Sequence, residues 1–78
     1  MHESNEVLSA QDISITANGQ QYMLPMGSTI AVLLSSLNVT AKYVVVQMDG
    51  VIIPRSDYAE TALQAGCKLE VVTMVGGG

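Results

Sequence analysis

The end of the chain is the part of this sequence that could take part in chemistry. Gly76, Gly77 and Gly78 follow the strand-like run VVTMV and finish in a carboxylate. Glycine has no Cβ, so three in a row form a thread thin enough for a channel that excludes side chains. A carboxylate becomes an electrophile only when it is activated, and ATP-dependent adenylation by another protein is a common solution. The tail would then be a substrate and the folded domain its handle. A frayed glycine end or a cloning remnant is the alternative, and the tail alone does not decide between them.

Two apolar residues before the glycines form a candidate contact surface. In the last strand-like run, Val72 and Met74 share a face with Lys68 and Glu70, opposite the face predicted to enter the core. Apolar side chains on the solvent side of a terminal strand are typical of a surface that contacts another protein. The preference of such residues for strands would also account for Val72, so both interpretations stay open.

The other reactive side chains do not form a catalytic constellation. His2 is the only histidine and lies in a polar leader, so no Ser-His or Cys-His pair is expected. Cys67 is the only cysteine, which excludes an internal disulfide and a cysteine-based metal cluster. Asp49 and Asp57 fall in predicted turns, where aspartate is a common turn or cap residue. We therefore expect no catalytic residue and no metal site.

Composition narrows the class of partner. The 78 residues carry seven acidic side chains against three Lys or Arg, a net charge of −4. Binding to nucleic acid or to an anionic membrane needs cations, so neither is expected, and a basic protein is the more natural complement. The N-terminus has no apolar run of the signal-peptide kind, and no stretch has the length needed to span a bilayer. With a lone cysteine, these features favour a cytoplasmic location.

The elements that must position the tail begin with a hairpin. Asn18-Gly19 joins DISITA to QQYML and is a strong signal for a two-residue type I′ turn. Such a turn fixes the register, with Ile15 opposite Tyr22 and Ile13 opposite Leu24 on one face. The turn and the apolar pattern agree.

A short helix is predicted next, because apolar residues recur at helical spacing. The stripe consists of Ile30, Leu33, Leu34 and Leu37. Ser28 or Thr29 can cap the first turn, and Asn38 can end the helix. A leucine stripe of this kind is typical of packing in a core, here against the hairpin.

Three further strands complete the pattern. The run 43–48 is followed by the turn Asp49-Gly50 and a short strand, 51–53, which Pro54 ends. Residues 55–63 are irregular or form one helical turn, and KLEVVTMV is the last strand. The order β-β-α-β-β-(short helix)-β predicts an α+β protein of the β-grasp, ubiquitin-like class, a mixed sheet with one main helix packed across it. An αβ sandwich of another topology stays open.

The predicted organisation has three parts. Residues 1–12 form a flexible leader, 13–75 the β-grasp domain and 76–78 a flexible glycine tail. The tail is expected to be mobile in the free protein because glycine loses the most entropy on ordering.

Nearly all of the chain after the leader resembles the ThiS family, the sulfur carriers of thiamine biosynthesis in the ubiquitin-like MoaD/ThiS superfamily. The likeness lies in GSTIAVLLSSL (27–37), VVQMDGVIIPRSDY (45–58) and LEVVTMVGGG (69–78). Within the second stretch, the residues that match the family's I-V-P-R-x-x-[WY] segment are Ile52, Ile53, Pro54, Arg55 and Tyr58. The chain departs from the pattern in its longer acidic leader and in Cys67-Lys68, where the family often has Asp.

The resemblance implies a function for the tail. Gly78 would be adenylated by an E1-like, ThiF-type enzyme that uses ATP and Mg²⁺, and the carrier itself would bind no cofactor. A sulfur-donor system, usually a cysteine desulfurase, would convert the adenylate to a thiocarboxylate. Thiazole synthase (ThiG) would then accept the sulfur, so the chain would be a co-substrate and not an enzyme.

The resemblance also implies where partners bind. Gly76 and Gly77 would lie in the partner's channel, and Val72, Met74 and Val75 would contact the partner. Two other functions stay open, namely the small subunit of molybdopterin synthase, which gives sulfur to a pterin, and a ubiquitin-like modifier or interaction module. The ending MVGGG, without proline, is closer to the thiazole carriers.

Overall fold

The computed structural model describes residues 12–74, which form a five-stranded sheet with an α-helix against it. The elements in chain order are β1 (Asp12–Ala17), β2 (Gln20–Pro25), α1 (Ile30–Ser36), a 3₁₀ turn (Ala41–Tyr43), β3 (Val44–Met48), β4 (Val51–Ile53), a second 3₁₀ turn (Arg55–Asp57) and β5 (Lys68–Thr73). This is the predicted order, except that the 3₁₀ turn Ala41–Tyr43 was not predicted. β1 begins at Asp12, one residue inside the predicted leader, while residues 1–11 and 75–78 lie outside the described residues.

The topology of the sheet confirms the β-grasp prediction. The strand order is β2-β1-β5-β3-β4, so the last strand in sequence lies in the middle of the sheet. β5 runs parallel to β1 and antiparallel to β3, while the two hairpins, β1-β2 and β3-β4, are antiparallel. None of the helices among residues 12–74 is long and apolar enough to cross a membrane.

The first hairpin has the predicted register. Ile15 lies opposite Tyr22, and Ile13 lies opposite Leu24. Positive φ angles at Asn18 (52°) and Gly19 (84°) allow the chain to reverse in two residues. The local turn therefore determines which side chains of β1 and β2 face the core.

The start of α1 distinguishes the two candidate caps. The side chain of Thr29 accepts a hydrogen bond from the Val32 amide at 3.3 Å, which satisfies a free donor of the first turn. Ser28 is buried, and its hydroxyl donates instead to the Pro25 carbonyl at 2.7 Å, closing the turn before the helix. Asn38, with φ of 62°, ends the helix as predicted.

The second hairpin differs from its prediction at one end. Residues Ala41–Tyr43 form a 3₁₀ turn, so β3 begins at Val44 and not at position 43. The tight turn at Asp49-Gly50 has φ of 51° and 86°, as its sequence predicts. Pro54 follows β4, as predicted. The second 3₁₀ turn comes next and lies within residues 55–63, which were predicted to be irregular or to form one helical turn.

The core lies between α1 and one face of the sheet. Its fully buried side chains are Ile15, Ile30, Leu33, Leu34, Val46 and Leu69. The segment after β4 adds Tyr58, Leu63 and Cys67 to the same cluster. Cys67 is only 6% exposed, less than the half-buried position that its place before a strand predicts, because its side chain belongs to the core.

Neighbouring residues of α1 provide a test of this packing. Leu33 is fully buried, whereas Val32 is 44% exposed. We expect Leu33→Ala to lower the free energy of unfolding by about 2–5 kcal/mol, since it leaves a cavity in the core. Val32→Ala should change it by no more than about 0.5 kcal/mol. Urea denaturation of both variants measures the difference, and equal losses would contradict the placement of the helix.

Candidate functional site

β5 is the element that connects the core to the end of the chain. Its alternate residues Leu69 and Val71 are buried, while Lys68, Glu70 and Val72 point to the opposite face of the sheet. Val72 is 55% exposed and Met74, just beyond the strand, 52%. Both therefore lie on the solvent face that the alternation predicts. Their role in binding a partner stays a prediction.

Further apolar residues of the neighbouring strands extend this surface. Val72 lies opposite Val45 of β3, and Ile52 of β4 lies one strand further on the same face and is 61% exposed. We call the group of Val45, Ile52, Val72 and Met74 the outer-face patch. Val45 is half-buried and the other three residues are exposed. Exposed apolar side chains grouped on one face of a sheet are typical of interaction sites.

The chain leaves the sheet beside Tyr43. The Met74 amide donates to the Tyr43 carbonyl at 2.7 Å, which extends the pairing with β3 one residue beyond β5. The Tyr43 side chain is 54% exposed. The backbone of Met74 is therefore fixed next to Tyr43, and residues 75–78 start from that point.

Positive charge lies next to this exit point. The Lys42 ammonium is 5.7 Å from the centre of the Tyr43 ring, and an Arg55 guanidinium nitrogen donates to the Lys42 carbonyl at 3.4 Å. These are two of the three Lys and Arg residues in the chain. The net charge of −4 favours a basic partner, but the surface beside Tyr43 is complementary to acidic groups.

The described part of the chain holds no other candidate for chemistry. Cys67 is buried in the core. Within residues 12–74, no group of three or more His, Cys, Asp or Glu side chains comes together as metal ligands would. His2, Val75, Gly76, Gly77 and Gly78 lie outside the described residues, so their predicted roles stay predictions.

Sequence reasoning missed the contributions of β3 and β4 to the outer-face patch. Val45 lies beside Val72 only because β3 pairs with β5, a contact between residues far apart in sequence. Ile52 was singled out as part of a family segment and not as a surface residue. A correct strand order for the sheet would have been the signal that finds both.

A mixed five-stranded sheet with its last strand at the centre and a helix packed on one face defines a ubiquitin-like β-grasp domain. The crystal structure of a thiamine biosynthesis protein, ThiS, from Geobacter metallireducens is similar, with a TM-score of 0.72 and 29% identity. The match covers 85% of this chain and 100% of that one.

A sequence profile of the ThiS family matches residues 7–78. The chain belongs to the ThiS family, whose members are small sulfur-carrier proteins of thiamine biosynthesis. This family assignment confirms the resemblance noted in the sequence.

Two further relatives differ from each other in how much of their length matches this chain. A thiazole synthase of Paramagnetospirillum magneticum is 35% identical over 66 residues, which are 85% of this chain and 20% of that protein. The chain therefore spans about a fifth of that relative. The uncharacterized protein ycf40 of Pyropia yezoensis is 33% identical over 67 residues, 86% of this chain and 94% of that protein.

Adjacent residues of β5 test the division between core and patch. Val71 is 8% exposed and Val72 is 55% exposed. We expect Val71→Thr to lower the free energy of unfolding by about 1–3 kcal/mol, because it buries a hydroxyl in the core. Val72→Thr keeps the β-branched shape and should change it by at most about 0.5 kcal/mol. Thermal or urea unfolding measures both, and a larger loss for Val72→Thr would overturn the assignment of faces.

Proposed function

We propose that this chain carries sulfur on Gly78 for thiazole formation in thiamine biosynthesis. The observation that carries the proposal is the match to the ThiS family, which runs through residue 78 and includes the glycine tail. The glycine tail, 76–78, comes two residues after the end of β5. The chain would thus act as a protein co-substrate.

The proposed chemistry takes place at the Gly78 carboxylate. In the active site of a ThiF-type enzyme, which uses ATP and Mg²⁺, a carboxylate oxygen attacks the α-phosphorus of ATP and pyrophosphate leaves. The resulting acyl-adenylate is an electrophile. Hydrosulfide (HS⁻) delivered by the sulfur-donor system attacks the carbonyl carbon, the C–O bond to AMP breaks, and loss of the S–H proton leaves a thiocarboxylate. Gly76 and Gly77 give the tail a cross-section without side chains, so that a narrow channel can admit it.

The length of the tail supports docking of the partner near the end of β5. Four fully extended residues, 75–78, span at most about 14 Å. Any active site that acts on Gly78 must therefore come within that distance of Met74, and the surface around it must cover the end of β5. Val72, Met74 and Val75 are the side chains that we expect it to contact.

The proposed acceptor of the sulfur is thiazole synthase (ThiG). A segment of a thiazole synthase is similar to this chain, so one relative joins a segment of this kind to a protein named thiazole synthase. That similarity supports the pairing. We also propose that the reaction takes place in the cytoplasm, where the reduced Cys67 and the thiocarboxylate would be maintained.

Intact-mass measurement tests the carrier chemistry. After incubation with a ThiF-type enzyme, MgATP and a sulfur source, we expect the protein to gain the sulfur-for-oxygen mass difference on its C-terminal peptide. Deletion of Gly78, or addition of one alanine after it, should abolish the gain while the fold is kept, because the terminal carboxylate then lies one residue short of the adenylating site or one residue beyond it.

The controls separate the proposed function from the alternatives. The enzyme must first be shown to work on its own carrier. A thiocarboxylate on the alanine-extended variant, or no mass gain on the native chain, would contradict the proposal. Transfer of the sulfur to a pterin precursor, or isopeptide conjugates in cell extracts, would favour the molybdopterin subunit or the modifier.

The role of the outer-face patch can be tested separately. We expect Val72→Ser combined with Met74→Ser to raise the KM of the activating enzyme for the carrier about tenfold, equivalent to 1.4 kcal/mol of lost contact energy. The matched control is Met23→Ser combined with Met26→Ser. These methionines are 63% and 61% exposed but lie on and just after β2, at the far edge of the sheet. Equal effects in the two double variants would contradict docking through the patch.

A further inference from the structure

Each hairpin places the first residue of its turn against the central strand. Asn18 follows β1 and Asp49 follows β3, the two neighbours of β5. Both have the positive φ that a type I′ turn requires, 52° and 51°. The turn explains the backbone conformation of these residues, but not what their side chains do.

Asn18 continues the pairing of β1 with β5 by means of its side chain. Its backbone amide donates to the Leu69 carbonyl at 2.9 Å. The side-chain oxygen accepts from the Val71 amide at 2.7 Å, and the side-chain nitrogen donates to the Val71 carbonyl at 2.9 Å. A carboxamide has the donor and acceptor of a peptide group, so Asn18 replaces the strand residue that β1 lacks after Ala17.

Asp49 binds the opposite end of β5 with a different set of atoms. Its backbone amide donates to the Lys68 carbonyl at 2.8 Å, and its carboxylate accepts from the Lys68 amide at 3.1 Å. Because the backbone already supplies the donor, the side chain needs only an acceptor. Asn18 thus pairs with both an amide and a carbonyl of Val71, whereas the Asp49 side chain pairs only with the amide of Lys68.

We propose that Asn18 is a positioning residue for the C-terminal segment. It holds both backbone polar groups of Val71 that face β1, at the last point where the β1 side of the sheet contacts β5. The next residues are Val72 and Met74 of the patch, held from the β3 side through pairing with Val45 and the Tyr43 carbonyl. With both sides held, the backbone from Val71 to Met74 has a fixed position in the sheet, and the C-terminal segment starts from that position.

The inference rests on the proposed function, because direction matters only if Gly78 must reach an active site. Adenylation needs the carboxylate close to the α-phosphate of ATP, and a misplacement of about 1 Å can cost about 10²-fold in rate. Docking through the outer-face patch does not require the Asn18 side chain. Loss of that side chain should therefore lower the rate of the bound complex more than it lowers binding.

Asn18→Gly separates the turn from the side-chain contact. Glycine adopts the positive φ without strain, so the hairpin is kept while both bonds to Val71 are lost. The matched control, Asp49→Gly, also keeps its turn and loses the side-chain bond to the other end of β5. A second variant, Asn18→Asp, keeps the acceptor but loses the donor and faces the Val71 carbonyl with a carboxylate.

Two measurements test the proposal on the full-length chain. Amide hydrogen exchange in the free protein should be at least about tenfold faster at Val71 in Asn18→Gly, while in Asp49→Gly only the Lys68 amide should be affected. With the activating enzyme, Asn18→Gly should lower kcat for adenylation about tenfold, with KM for the carrier within about twofold. Asp49→Gly should change neither constant, and Asn18→Asp should follow Asn18→Gly.

The outcomes distinguish this inference from the proposed function. If the native chain is activated, a native kcat in both Asn18 variants, an equal loss in Asp49→Gly, or a change confined to KM would overturn the positioning role and leave the carrier function intact. An unchanged Val71 exchange rate would also overturn it, whatever the enzyme does. If the native chain is not activated, the proposed function fails, and the positioning role fails with it.

Discussion

The structure depends on the insertion of β5 between β1 and β3. The two hairpins β1-β2 and β3-β4 each have their own turn, but they share a sheet only because the last strand joins them. β5 also supplies the fully buried Leu69 to the core beneath α1. In a chain of 78 residues the core is small, so few other contacts can compensate for loss of this strand. The strand that completes the fold is also the one that leads to the glycine tail.

Alternate residues of β5 point to opposite faces of the sheet, so the residues that stabilise the core differ from those of the outer-face patch. Val71 faces the core and Val72 faces solvent, although they are adjacent in sequence. The outer-face patch can therefore be fitted to a partner without a change in the core. The same alternation explains how apolar residues occupy exposed positions so near a buried set. Their exposure follows from the strand pairing, while their use as a binding surface is part of the proposed function.

The sequence predicted what local interactions determine. The Asn18-Gly19 turn fixed the register of the first hairpin, and the leucine stripe located α1. It could not show that Thr29 caps the helix while Ser28 closes the preceding turn, since both have a suitable hydroxyl. Contacts between residues far apart in the chain could not be predicted in this way. The contact of Asn18 with Val71 joins residues 53 positions apart, and its turn signal already accounted for the asparagine. The chemistry of the tail was predicted through a family resemblance, because three glycines alone also fit a frayed end.

The reach of the tail limits how a sulfur carrier of this shape can work. Residues 75–78 extend at most about 14 Å beyond Met74, which is less than the diameter of a small domain. Under the proposed function, the activating enzyme and the sulfur acceptor would each approach Gly78 within that distance, so both would come close to the end of β5. They would therefore compete for the outer-face patch and bind in succession. A carrier that has to leave one enzyme before it meets the next requires moderate affinity, which suits a patch of a few side chains beside Lys42 and Arg55. Electrostatic attraction between these cations and acidic groups on each partner would speed encounter without slowing release as much as a larger apolar interface would.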